Sequence, residues 1–285
     1  YPLGIDGKLK PGSRVKRLED TDGDGRPDKA VLFMENVPFA TGLLCWQDGV
    51  FICAAPDILF ARDTDGDGRA DDVQKKFSGW PTHNFNARVN SLSLGLDGWI
   101  YGSGGLFGGT IEPGSVNTSG RDFRFHPESG VIEAASGQSQ QGRVRDDWDN
   151  WFGCDNSNLL RHYPFPESAF RRNSRVPGPP PQVEVPGYQD PNRLYPVSRL
   201  MERFNEPQSA GRTTSACGPA IYRDNWLGDG YYGNAFTCEA VHNLVRRHIL
   251  EPSGATFTGR KAPDEQEREF LASRCRRSSW PQSHA

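Results

Sequence analysis

The stretch EDTDGDGRPDKA (Glu19–Ala30) returns almost unchanged as RDTDGDGRADDV (Arg62–Val73), with the two aspartate clusters 43 residues apart. In each copy aspartates occupy positions 1, 3, 5 and 9: Asp20, Asp22, Asp24 and Asp28, then Asp63, Asp65, Asp67 and Asp71. Converging carboxylates repel by several kcal/mol per pair at the effective dielectric of a protein surface, so the pattern calls for a cation among them. Hard Ca2+ accepts about six to eight oxygens, and an Asp-x-Asp-x-Asp-Gly turn can wrap it because glycine permits the sharp bend. An EF-hand would place a bidentate Glu at the twelfth position, which holds Val31 in one copy and Gln74 in the other. The loops are therefore not EF-hands, and their flanks (RVKRLE and KAVLFME, then DILFA) alternate as strands rather than helices.

A period near 43 residues is the length of one four-stranded propeller blade. Hairpin signals continue the rhythm at Asp48-Gly49, Asp97-Gly98, Ser129-Gly130 and Ser253-Gly254. The two Asp-Gly turns lie 49 residues apart, which predicts an insertion of about six residues in GWPTHNFNA, on a blade-connecting loop. Pro164–Pro196 is too proline-rich for a central strand and reads as an ordered excursion or a mobile loop. A short helix is expected over Asp264–Ser273, with Pro263 at its start. Otherwise the chain reads as all-β.

Composition agrees: of 285 residues, 32 Gly and 22 Pro make up nearly a fifth, which favours short strands and tight turns over helix bundles. The net charge of −3, from 33 basic and 36 acidic side chains, argues against nucleic acid or an anionic membrane as the main partner. No apolar run reaches the ~20 residues of a membrane span, and the first residues lack a signal-peptide apolar core. Cys45, Cys53, Cys154, Cys217, Cys238 and Cys275 form no C-x-x-C pair, and fit either up to three disulfides or six buried thiols. Nucleophile-elbow, zinc-helix, Walker and dinucleotide motifs are all missing, and GSGGLFGG (Gly102–Gly109) reads as a flexible blade connection. NTS at Asn117 is a formal glycosylation acceptor.

Six segments in this order (RLEDTDGDGRPDKAVLF, GVFICAAPDILFARDTDGDGRADD, RVNSLSLGLDGWIYGSGG, WFGCDNSNLLRHY, ACGPAIYRD and EAVHNLVRRHILEPSGATFTGRKAPDEQEREFLAS) resemble the membrane-bound dehydrogenase family of planctomycete and verrucomicrobial bacteria. These are exported propellers related to soluble glucose/sorbosone dehydrogenases, and the likeness runs from Tyr1 to about Ser273. It implies an incomplete β-propeller, about four blades of a six-bladed ring, in residues 1–273, with a divergent, poorly packed tail at 274–285. It also implies a periplasmic or extracellular location, Ca2+ and pyrroloquinoline quinone (PQQ) as cofactors, and a sugar or alcohol as substrate. Electrons would pass to a cytochrome c domain whose haem motif lies outside this chain.

In the related quinoproteins a histidine takes the substrate hydroxyl proton. His83, on the insertion-bearing loop, is the candidate base; many family members carry a histidine directly before Arg-Val-Asn, where this chain has Ala87. Arg88 and Asn90 either face an anionic cofactor or pin the loop. Asp155, Asn156, Asn158, Arg161 and His162 are read both as turn chemistry and as cofactor contacts. His242 and Asn243 are expected on a strand near the rim, and His126 in solvent. Two functions follow: a calcium-binding PQQ-type dehydrogenase, or a catalytically silent, calcium-stiffened propeller that binds carbohydrate or protein at the cell surface.

Overall fold

Short alternating segments and closely spaced turns produce a chain that is β-structured almost throughout in the computed structural model, which describes residues 10–171, 180–198, 200 and 207–274. Two compact units divide it, Tyr1–Gln138 and Ser139–Ala285.

In the first unit, strands β1 (Ser13–Glu19) and β2 (Lys29–Val37) pair antiparallel across the first aspartate loop. An antiparallel meander follows, of β3 (Gly42–Trp46), β4 (Gly49–Ala54), β5 (Asp57–Arg62) and β6 (Asp72–Ser78), with the second aspartate loop between β5 and β6. The next sheet runs β7 (Asn90–Leu94), β8 (Ile100–Ser103), β11 (Asp122–Phe125), β12 (Ile132–Ala135), and a hairpin of β9 (Thr110–Ile111) and β10 (Val116–Asn117) is inserted between its second and third strands. Asp97-Gly98 and Ser129-Gly130 sit in its turns as the sequence predicts, each glycine with positive φ. The two sheets meet through their first strands, where the Thr41 hydroxyl donates to the Val89 carbonyl at 2.5 Å. Between them Phe51, Phe77, Trp80, Phe123 and Phe125 are buried with ring centroids about 5 Å apart. Each such ring contributes roughly 2–3 kcal/mol by leaving water.

The second unit repeats the plan. Strands β13 (Arg143–Arg145), β14 (Trp151–Asp155), β15 (Asn158–Tyr163) and β16 (Val183–Glu184) form one meander. Strands β17 (Ala216–Ile221), β18 (Ala235–Glu239), β19 (Leu244–Ser253) and β20 (Thr256–Arg260) form the next, and β21 (Leu271–Ala272) adds to β19. Phe152, Leu160, Val185, Ile221 and Ala235 are buried between these sheets. Four consecutive four-stranded meanders among the described residues, packed through their leading strands within each unit, are the blades of a β-propeller.

Several sequence expectations change. The described part of Pro164–Pro196 is an ordered excursion: it holds a short helix, α1 (Glu167–Arg171), supplies β16, and is then pinned by buried Arg246. That guanidinium donates to the carbonyls of Pro191 at 3.1 Å and Arg193 at 2.7 Å, and pairs with Glu269. Asp264–Ser273 is not a helix. A single 3-10 turn, Pro263–Glu265, gives way to β21, because Glu265 pairs with Arg247 and Phe270 packs on Phe236 and Tyr231. GSGGLFGG leads from the end of β8 into the inserted β9–β10 hairpin instead of joining two blades. His242 lies in the tight turn between β18 and β19, not on a strand, and His126 is half-buried with its ring edge-on to Trp99 at 5.6 Å. The tail expectation for 274–285 lies, apart from exposed Arg274, outside the described residues.

Candidate functional site

The insertion between β6 and β7 forms one wall of a cleft of about 410 Å³. Thr82, His83, Phe85 and Arg88 line it from that loop, Phe39 from the end of β2, and Lys10 from the segment leading into β1. No Asp or Glu lies in its lining. Arg88 is 7 % exposed, and its guanidinium carbon sits 4.8 Å from the Phe39 ring and 5.2 Å from that of Phe85. One terminal nitrogen donates to the Thr82 carbonyl at 2.8 Å, while the buried Nε has no partner. No carboxylate among the described residues pairs with it, and burial draws its pKa below the ordinary arginine range. Arginine remains cationic under such a shift, so the cleft carries a buried positive charge without a counter-anion among the described residues. An orphaned donor of this kind is costly unless an anion meets it.

His83 stands exposed at the rim with its ring packed on Phe107 at 4.7 Å. Ala87 is buried at 2 % exposure. Asn90 donates to the Arg88 carbonyl at 2.7 Å and accepts from the Ser91 hydroxyl, bonds that pin the loop.

Asp155, Asn156, Asn158, Arg161 and His162 belong to the second unit. Asp155 accepts from the Ser157 and Asn158 amides at 2.9 and 3.0 Å and pairs with Arg161, which closes the hairpin between β14 and β15. The Asn156 amide donates to Gln140 at 3.2 Å. His162 is buried between Phe152 and Phe257 with Nδ1 2.9 Å from the Thr256 hydroxyl; burial lowers its pKa to about 4, so the ring is neutral at pH 7. Sequence reasoning overlooked Lys10, Phe39 and Phe85 as cleft walls. An aromatic two residues after His83 was the available signal for Phe85.

Both aspartate loops fold alike. Asp20 accepts from the amides of Gly23 at 2.7 Å and Gly25 at 2.8 Å, and Asp63 from Gly66 at 2.7 Å and Gly68 at 2.9 Å. Asp20, Asp22 and Asp24, and separately Asp63, Asp65 and Asp67, each bring one carboxylate oxygen to within 4.8 Å of the others. Asp28 and Asp71 stand outside these clusters, their carboxylates engaged by Thr21 and Thr64. The all-oxygen, all-anionic donor sets fit a hard divalent ion.

The sequence matches, over residues 1–280, the family described as "Domain of unknown function (DUF7133)". No curated protein sequence matches the chain. Similar solved structures include the soluble aldose sugar dehydrogenase from Escherichia coli in its apo form, at 14 % identity over 88 % of this chain and 80 % of that one, with a TM-score of 0.46. A glucose dehydrogenase is also 14 % identical, over 91 % and 83 % of the two chains, with a TM-score of 0.48. Virginiamycin B lyase from Staphylococcus aureus is 13 % identical over 80 % and 71 %, with a TM-score of 0.33.

Proposed function

The chain belongs to the DUF7133 family, and we propose that it is a propeller dehydrogenase that oxidises a sugar or alcohol with PQQ and Ca2+. The observation that carries this reading is the uncompensated buried Arg88 at a cleft lined also by Lys10 and His83. A planar polycarboxylate suits two cations flanked by the rings of Phe39 and Phe85. PQQ, when bound, supplies a two-electron acceptor. Arg88 and Lys10 would hold its carboxylates, Phe39 and Phe85 would keep water from the guanidinium, and an imidazole nitrogen of His83 would accept the substrate hydroxyl proton. The paired aspartate loops hold Ca2+ and stiffen the first unit, away from the proton transfer. The sequence resemblance supports an exported protein, in the periplasm or outside the cell, that delivers electrons to a cytochrome c domain.

Reconstitution with PQQ and Ca2+, followed by dye reduction across a panel of aldoses and alcohols, tests the reading. Turnover is expected with at least one substrate class, and Arg88→Ala weakens quinone binding at least tenfold. No turnover together with no shift in quinone absorbance refutes it. A second reading has its own support in buried Ala87, which presents no base at the position where many members of the resembled dehydrogenase family carry histidine. In that case the cleft is a non-catalytic binding site for carbohydrate or protein, and saturable sugar binding without PQQ is the expected result.

A further inference from the structure

Strands β17 and β18 carry two cysteines whose placement neither the cleft nor the aspartate loops uses. Cys217 and Cys238 are directly opposed partners in this antiparallel pair, flanked by Ala216 opposite Glu239. Directly opposed residues project to the same face of a sheet, with Cα atoms about 4.5–5.5 Å apart. That separation falls inside the ~4.4–6.8 Å window of a disulfide. Cys238 is exposed and Cys217 half-buried, so an external oxidant can reach one thiol and the second lies beside it.

We propose that Cys217 and Cys238 form a cross-strand disulfide that locks the second unit's β17–β18 hairpin. The connection it closes, residues 222–234, is long for a hairpin and presents Trp226 at 90 % exposure and Leu227 at 45 %. The Ile221–Ala235 pair and the Tyr222–Asn234 backbone bonds close the near end of the ladder, and the cysteine pair sits at its far end, so a disulfide there ties both ends of the hairpin. The oxidant is a small-molecule or protein disulfide, represented by oxidised glutathione. The Cys238 thiolate attacks one glutathione sulfur and releases one reduced glutathione. Cys217 then displaces the second glutathione from the mixed disulfide, so two thiols and one oxidised glutathione give one protein disulfide and two reduced glutathiones. Burial raises the pKa of both thiols, which makes the exchange slow at neutral pH and faster near pH 8.5. Cys154 stands near Cys217 on β14, and its thiol already donates to the Gln141 carbonyl at 3.3 Å.

The test uses the whole chain equilibrated with oxidised glutathione at pH 8.5, alkylated, and digested with trypsin without reduction. Cleavage after Arg212, Arg223 and Arg246 separates the two cysteines onto different peptides, 213–223 and 224–246, while Cys154 falls on a third. The expected result is a linked pair of the first two peptides that disappears on reduction and is retained in Cys154→Ser. Reduction is expected to lower the melting temperature by roughly 5–10 °C. Full alkylation of Cys217 and Cys238 as free thiols, or a link from Cys217 to Cys154 instead, overturns the proposal. Because the linked pair is read first on the wild-type sequence, the Cys154→Ser variant serves only as a control and the outcome does not depend on its folding.

Discussion

The two aspartate loops have the same bonds and different surroundings. The first joins the strands of a two-stranded sheet, and a Cβ added at Gly25 would meet nothing within 4 Å. The second closes a four-stranded sheet and docks on the first hairpin: a Cβ at Gly68 would lie 2.9 Å from Val31 Cγ1, and the Ala70 amide donates to the Phe33 carbonyl at 2.8 Å. Local sequence therefore dictates the loop, since both copies reach one conformation by the same amide-to-carboxylate bonds. Tertiary packing decides how much stability hangs on each.

The largest expected effect is that of the ion. At calcium concentrations a hundredfold above the dissociation constants, two sites contribute about 5 kcal/mol together, measured as the shift in denaturant midpoint between calcium and chelator. Asp22→Asn and Asp65→Asn should each remove about half, and loss of the whole effect in either variant would show that the loops are not independent. Next comes Gly68→Ala, expected to cost about 2–3 kcal/mol in urea unfolding, against about 1–2 kcal/mol for Gly25→Ala. Both glycines have positive φ, +84° and +90°, so the backbone strain is shared and the excess reports the Val31 contact. Val31→Ala should abolish that excess, and an unchanged difference would break the comparison. Thr21→Val and Thr64→Val remove matched, solvent-exposed hydroxyl bonds to Asp28 and Asp71 and should lower the urea midpoint slightly and equally in the two loops.

The smallest effect is acid dependence in the chelated protein. The Thr21 hydroxyl holds the Asp28 carboxyl below its usual range, and the Thr64 hydroxyl does the same for Asp71. Depressed carboxylate pKa values contribute stability that is complete above the unfolded value near 3.9 and is lost as pH falls through the folded value. A flat response from pH 8 to 5 followed by parallel losses below about pH 4 is expected; a transition near pH 6 would point to other groups.

What the sequence disclosed was local. Carboxylate spacing, Asp-Gly turns and strand alternation are short-range signals, and loops, hairpins and blades follow from them. The missing parts depend on distant partners. Asp264 and Arg268 do make the i,i+4 pair of a helix, yet the backbone extends because Phe270 and Leu271 find partners on the β17–β19 sheet. Arg246 gave no sign that it would anchor residues some 53 positions earlier. His83 and Arg88 were legible as cleft residues because they share one loop. Phe39 was not, since its place opposite Arg88 arises only when β2 packs beside that loop.

One seam in the first unit limits how the molecule can change. Gly79 and the inserted β9–β10 hairpin approach so closely that a methyl at Gly79 would lie 2.1 Å from the Thr110 carbonyl oxygen, and one at Gly105 would lie 2.6 Å from that of Arg88. The hairpin and the cleft-bearing loop thus form a single heritable cassette. Gene shuffling that separated residues 79–89 from 104–118 and brought a side chain to position 79 or 105 would drive a Cβ into the facing backbone, so exchange of the whole block or side-chain changes inside it are the routes to new ligand preferences that leave this seam intact.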